Sequence, residues 1–133
     1  MHEADTILVI DDNPGSLKLA RVLLQRNGYR VHTAADAREA LALLEGCVPR
    51  LILLDLQLPG IDGYELCRRL KVDLRTHHIP IIALTAYAMK GDVERARAAG
   101  CDDYVTKPLD TQALPKLISE HLGRTRAARD RPS

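Results

Sequence analysis

Five polar side chains stand just behind short apolar runs. Asp11 and Asp12 follow Ile7-Leu8-Val9-Ile10, Asp55 follows Leu51-Ile52-Leu53-Leu54, Thr85 follows the run from Ile79 to Leu84, and Lys107-Pro108 comes after Tyr104-Val105. Taken singly, an Asp behind a strand is an ordinary cap or turn residue. Three carboxylates gathered within a few ångströms are different, because their repulsion raises at least one pKa unless a cation sits among them. Mg²⁺ resolves that conflict, since it takes two or three carboxylates with a backbone carbonyl and waters, and keeps positions open for phosphate oxygens. The ammonium of Lys107 and the hydroxyl of Thr85 suit the oxygens of a transferring phosphoryl group. Asp55 is the best-placed nucleophile.

The elements that must bring these groups together are legible in the same chain. The apolar runs Ile7–Ile10, Val31–Thr33, Leu51–Leu54, Ile79–Leu84 and Tyr104-Val105 read as strands, the continuous ones buried on both faces. Between them lie helical stretches with recognisable ends. Asn13-Pro14 is an N-cap followed by Pro at the first helical position, and Gly28 stops that helix. Asp36-x-x-Glu39 opens the second, which closes at Gly46, and Asp62-x-x-Glu65 opens the third. Asp92 starts a stretch ending at Gly100, and Asp110 caps a last helix through Leu122. Strand then helix, five times over, requires a doubly wound parallel α/β sheet with helices on both faces and ligands at the carboxyl ends of the strands. Residues 5–122 form the expected domain, and 123–133 read as a basic disordered tail or the start of a linker.

Composition narrows the function. The 133 residues hold no apolar run near the roughly 20 needed to span a bilayer, and no signal-like stretch follows Met1. Cys47, Cys67 and Cys101 are an odd set without C-x-x-C spacing, which indicates neither a disulfide framework nor a zinc site and fits a reducing, cytoplasmic compartment. Four arginines against Asp130 in the last ten residues leave a mildly acidic body, so the folded part offers no basic surface for nucleic acid. Phe and Trp are absent, so the core must be aliphatic.

These motifs resemble the response-regulator receiver domains of two-component signalling, the family of the chemotaxis protein CheY. The likeness runs over residues 5 to about 122 and rests on Asp11-Asp12, Asp55 with Leu56-Gln57-Leu58-Pro59-Gly60-Ile61-Asp62-Gly63, Thr85-Ala86, and Lys107-Pro108. The stretch Thr85–Asp92 is most similar to single-domain DivK-type regulators and to receivers of hybrid histidine kinases. The resemblance implies a flavodoxin-like (βα)5 fold with strand order 2-1-3-4-5. It makes Asp55 the phosphoacceptor, and Asp12, Asp55 and the Gln57 carbonyl direct Mg²⁺ ligands, with Asp11 acting through a bound water. Thr85 and Lys107 match positions that contact the phosphoryl oxygens, and Tyr104 matches the aromatic that follows Thr85 on activation. Gln57 and Tyr87 flank the phosphoryl site, where Gln57 departs from the Asn of the chemotaxis protein and leaves the phosphoryl lifetime open. The Lys107-Pro108 peptide matches one that is often cis.

The implied function is a phosphoacceptor served by a histidine kinase or histidine phosphotransfer protein, acting on a downstream protein target as a monomer or a weak phosphorylation-dependent dimer. It is self-catalysed and has no turnover on other substrates. The alternative is a receiver segment of a hybrid kinase or of a larger regulator with an output domain. With no output domain following, the signal is expected to leave through the domain's own surface or through a domain outside this chain. A haloacid-dehalogenase-type phosphatase needs a second acid two positions after its nucleophile, where this chain has Gln57. A pseudo-receiver lacks the acids, all of which are present. His77-His78 reads as loop, Gly60 and Gly63 as turn residues, Tyr104 without the resemblance as core, and the cysteines as core or helix surface rather than redox sites.

Overall fold

The computed structural model describes residues 5–58, 60, 62–86 and 90–130, with Tyr87 outside them. Strands and helices alternate without exception: β1 (Thr6–Ile10), α1 (Pro14–Arg26), β2 (Arg30–Ala34), α2 (Ala37–Gly46), β3 (Leu51–Asp55), α3 (Gly63–Val72), β4 (Ile81–Thr85), α4 (Lys90–Ala99), β5 (Asp103–Thr106) and α5 (Ala113–Asp130). All four strand pairings are parallel, in the order β2-β1-β3-β4-β5. Among the described residues, no helix is long and apolar enough to cross a membrane.

Two apolar layers sandwich the sheet. Leu8, Ile10, Ile52, Leu54 and Ala83 meet α2, α3 and α4 on one side, while Ile7, Val9, Leu53, Ile82 and Leu84 meet α1 and α5 on the other. This is why β3 and β4 are buried at every residue and read as unbroken apolar runs. The edge strands alternate instead, and β5 exposes Tyr104 and Thr106 while half-burying Asp103 and Val105.

The helix starts follow the expected chemistry. Ser16 N–H donates to Asn13 at 3.0 Å, and Glu39 and Glu65 N–H donate to Asp36 and Asp62 at 2.8 Å. The Glu39 carboxylate reaches back to accept from Ala35 N–H, one residue beyond the position a capping box usually serves. Gln112 and Ala113 N–H donate to Asp110, and the Ala113 bond first, then Gln112, hold its carboxyl below the usual range. At the far end of α2, Arg75 donates to the carbonyls of Leu44 and Glu45.

Strand ends shift by a residue in places, and three larger differences from the sequence reading have physical causes. Strand β4 begins at Ile81 rather than Ile79, because Pro80 has no N–H to enter the ladder and serves only as an acceptor for Ile52 N–H. Helix α4 begins at Lys90, which places Asp92 inside the first turn, where a carboxylate favours the positive end of the helix. Helix α5 continues to Asp130 instead of giving way to a structureless tail after Leu122. No proline interrupts Gly123–Asp130, and its Arg and Ala residues are good helix formers.

Candidate functional site

The carboxyl ends of β1 and β3 lie side by side, because Ile10 pairs with Leu54. Asp11 and Asp55 are therefore brought together although 44 positions separate them. Carboxylate oxygens of Asp11, Asp12 and Asp55 all fall within 4.8 Å of one another, with Asp11 and Asp55 buried and Asp12 exposed. Backbone N–H groups orient the two buried acids: Asn13 N–H donates to Asp11 Oδ1, and Gln57 N–H to Asp55 Oδ1, each at 2.9 Å.

Lys107 closes the cluster from the residue after β5. Its Nζ lies 2.8 Å from Asp11 Oδ2 and 3.3 Å from Asp55 Oδ2. Lys107 N–H donates to the Thr85 carbonyl at 2.8 Å, and Thr85 pairs with Thr106 across the ladder, so the ends of β4 and β5 are locked in register. Thr85 is buried at the strand end. The Lys107-Pro108 peptide is cis.

Among the described residues, one cation against three acids leaves the site electrostatically unbalanced. Burial pushes the Asp55 pKa up, Gln57 N–H opposes it, and neighbouring Asp11 pushes it up again, with Lys107 compensating only in part. Burial disfavours the Lys107 ammonium, but the pull of Asp11 and Asp55 outweighs it and raises its pKa. Asp11 Oδ2 is buried and ion-paired yet has no partner in hydrogen-bonding geometry among the described residues. An all-oxygen donor set with excess negative charge is what a hard divalent cation requires, so the residues fit Mg²⁺.

Gly63 has a larger part than a turn residue. It is the first residue of α3, and a Cβ there would come within 2.4 Å of both the Asp55 carbonyl oxygen and Leu56 Cα. Only a residue without Cβ lets α3 start directly against the end of β3. Gly60 does occupy a turn, with φ +79°. Tyr104 is 37% exposed and not part of the core. It pairs with Ala83, which packs on the α4 side of the sheet.

Comparison with known proteins agrees with this geometry. The family model described as "Response regulator receiver domain" matches residues 7–119. The chain belongs to the response regulator receiver domain family. It is 41% identical over 118 residues to the polar-differentiation response regulator DivK of Brucella ovis, covering 89% of this chain and 96% of the relative. A CheY-like receiver domain protein from Methanospirillum hungatei superposes with TM-score 0.86 at 32% identity, covering 94% of this chain and 98% of that one. The receiver domain of a sensor histidine kinase from Pseudomonas aeruginosa, with a magnesium ion coordinated in its active-site cleft, superposes with TM-score 0.83 at 35% identity, covering 90% and 98%. The receiver fold thus accounts for Asp11, Asp12, Asp55, Thr85 and Lys107 lying together at the carboxyl ends of the strands. What sequence reasoning passed over is the role of Gly63 and the meeting of Cys67 with Cys101. The first has a signal in the glycine at a helix start, whereas the second has none in one dimension.

Proposed function

We propose that this receiver domain is a phosphoacceptor switch in which Asp55 takes a phosphoryl group from a phosphohistidine. The donor is a histidine kinase or histidine phosphotransfer protein, and the modified domain changes its affinity for a downstream protein target in the cytoplasm. The carrying observation is a buried carboxylate at the end of the central strand, held by Gln57 N–H and faced by Asp11, Asp12 and Lys107. An Asp55 oxygen attacks phosphorus, the P–N bond breaks, and the electron pair leaves with the imidazole. Lys107 Nζ, already beside Asp55 Oδ2, meets the negative charge on the phosphoryl oxygens. Asp11, Asp12, Asp55 and Gln57 are the residues to hold Mg²⁺, which supplies charge neutralisation when bound. Thr85 offers its hydroxyl from the neighbouring strand. Gln57 provides no carboxyl general acid, so the domain modifies itself without turning over small phosphoesters.

The test is intact mass after incubation with Mg²⁺ and acetyl phosphate. One phosphoryl adduct, base-labile as an acyl phosphate, is expected on the native chain and none on Asp55→Asn. A label that persists in Asp55→Asn would overturn the assignment.

A further inference from the structure

We propose that Cys67 and Cys101 form a peroxide-responsive modification site, whose disulfide ties α3 to the junction between α4 and β5. The two sulfurs are 3.3 Å apart in the buried interior, 34 positions distant in the chain. A disulfide needs about 2.05 Å, so oxidation requires closure by little more than an ångström. Gly100 makes the approach possible. Its φ of +105° turns the chain out of α4, and a Cβ there would sit 2.8 Å from Lys71 Cγ on α3.

The contact belongs to a seam between α3 and the α4–β5 region. Arg95 stacks over the Tyr64 ring at 4.1 Å on one side of the pair. On the other, Lys71 Nζ donates to Asp102 Oδ2 at 2.8 Å, and that oxygen also accepts from Ile81 N–H at the start of β4. These contacts restrain the seam but can separate; a covalent bond cannot. Cys67 is fully buried, but Cys101 is reached by a cleft of about 150 Å³ that lies between Val93, Ala96 and Arg97 and extends to Tyr104. It admits peroxide, a molecule only slightly larger than water. The Cys101 contact, with further help from Lys71, holds the Cys67 thiol below its ordinary pKa, whereas the same contact and burial push Cys101 up.

The chemistry balances. One thiol releases its proton, the resulting thiolate attacks a peroxide oxygen, the O–O bond breaks, and the departing hydroxide takes up the released proton and leaves as water. The other sulfur then attacks the sulfenic sulfur, the S–O bond breaks, and a second water leaves. Two thiols are oxidised to one disulfide while hydrogen peroxide is reduced to two waters. The consequence for signalling, a restrained α4 and a restrained cleft beside Tyr104, rests on the switch reading above.

The native 133-residue protein is treated with hydrogen peroxide, alkylated in denaturant and digested without reductant. A cross-linked peptide pair joining Cys67 to Cys101, released by dithiothreitol, is expected, with Cys47 alkylated as an internal control. The cross-link should vanish in Cys67→Ala and in Cys101→Ala. Alkylation of both sulfurs after peroxide, or cross-links running only through Cys47, would overturn the site. Hydrogen exchange across Asp92–Ala99 should slow several-fold in the oxidised protein without any phosphoryl group, and unchanged exchange would overturn the tie. Acetyl phosphate labelling of the reduced protein reports separately on Asp55, so failure of the phosphoacceptor reading cannot be mistaken for failure of the disulfide.

Discussion

At the scale of single residues, the site is a contest between burial and charge. Asp11 and Asp55 are held in the interior by backbone N–H bonds and Lys107, while Asp12 adds a third charge from the exposed rim. Metal binding to the native state alone would stabilise the fold by mass action, about 1.4 kcal/mol at a tenfold excess over Kd. Thermal melting with Mg²⁺ against chelator should therefore show a higher Tm for the native chain. In Asp12→Ala that increment should disappear, while metal-free stability is kept or raised because one source of repulsion is gone. A mutant that retains the full Mg²⁺ response would remove Asp12 from the site. Lys107→Ala should lower metal-free stability, since it strips the cation from two buried carboxylates, and added Mg²⁺ should recover part of the loss.

At the scale of elements, short local devices set where each helix begins, and one of them serves the site directly. Gly63 allows α3 to abut the end of β3, so Gly63→Ala drives a methyl into the Asp55 carbonyl and Leu56 Cα. Overpacking of this kind costs about 1–3 kcal/mol. Urea unfolding should show that loss, and acetyl phosphate labelling of Asp55 should fall with it, because the backbone that must shift carries Asp55. Asp36→Ala tests a cap outside the acidic cluster. Losing the bond from Glu39 N–H should cost about 1 kcal/mol, with labelling at saturating donor unchanged.

At the scale of the whole molecule, the parallel sheet links Asp55 to a surface. Thr85 and Tyr104 lie on adjacent strands, and Tyr104 opens onto the cleft bordered by Val93, Ala96 and Arg97 of α4. A phosphoryl group that draws Thr85 toward Asp55 biases a two-state arrangement only through its differential contacts in the two states. NMR of the apo and beryllofluoride-bound protein should show shifts running from Asp55 through Thr85 to Tyr104, and Thr85→Ala should confine them to the acidic cluster. Shifts confined there in the native chain would mean a phosphoryl store without a conformational switch.

Strand runs, caps and strand-end acids were readable in one dimension because each depends on local periodicity or on a side chain bonding within four residues. The buried runs of β3 and β4 and the Asp36 and Asp62 caps all have that character. The receiver motifs then specified which acids belong together, including Asp11 with Asp55. Other features required the folded chain. That Lys107 pairs with Asp11 more closely than with Asp55, that Gly63 is pressed against β3, and that Tyr104 is exposed rather than core depend on strand register and helix placement. Cys67 and Cys101 show the limit best. Three cysteines at irregular spacing carry no local signal, and only the packing of α3 against the turn at Gly100 decides that two of them touch. Distances between residues far apart in the chain are set by how layers pack, and packing is a property of the whole fold that no local pattern encodes.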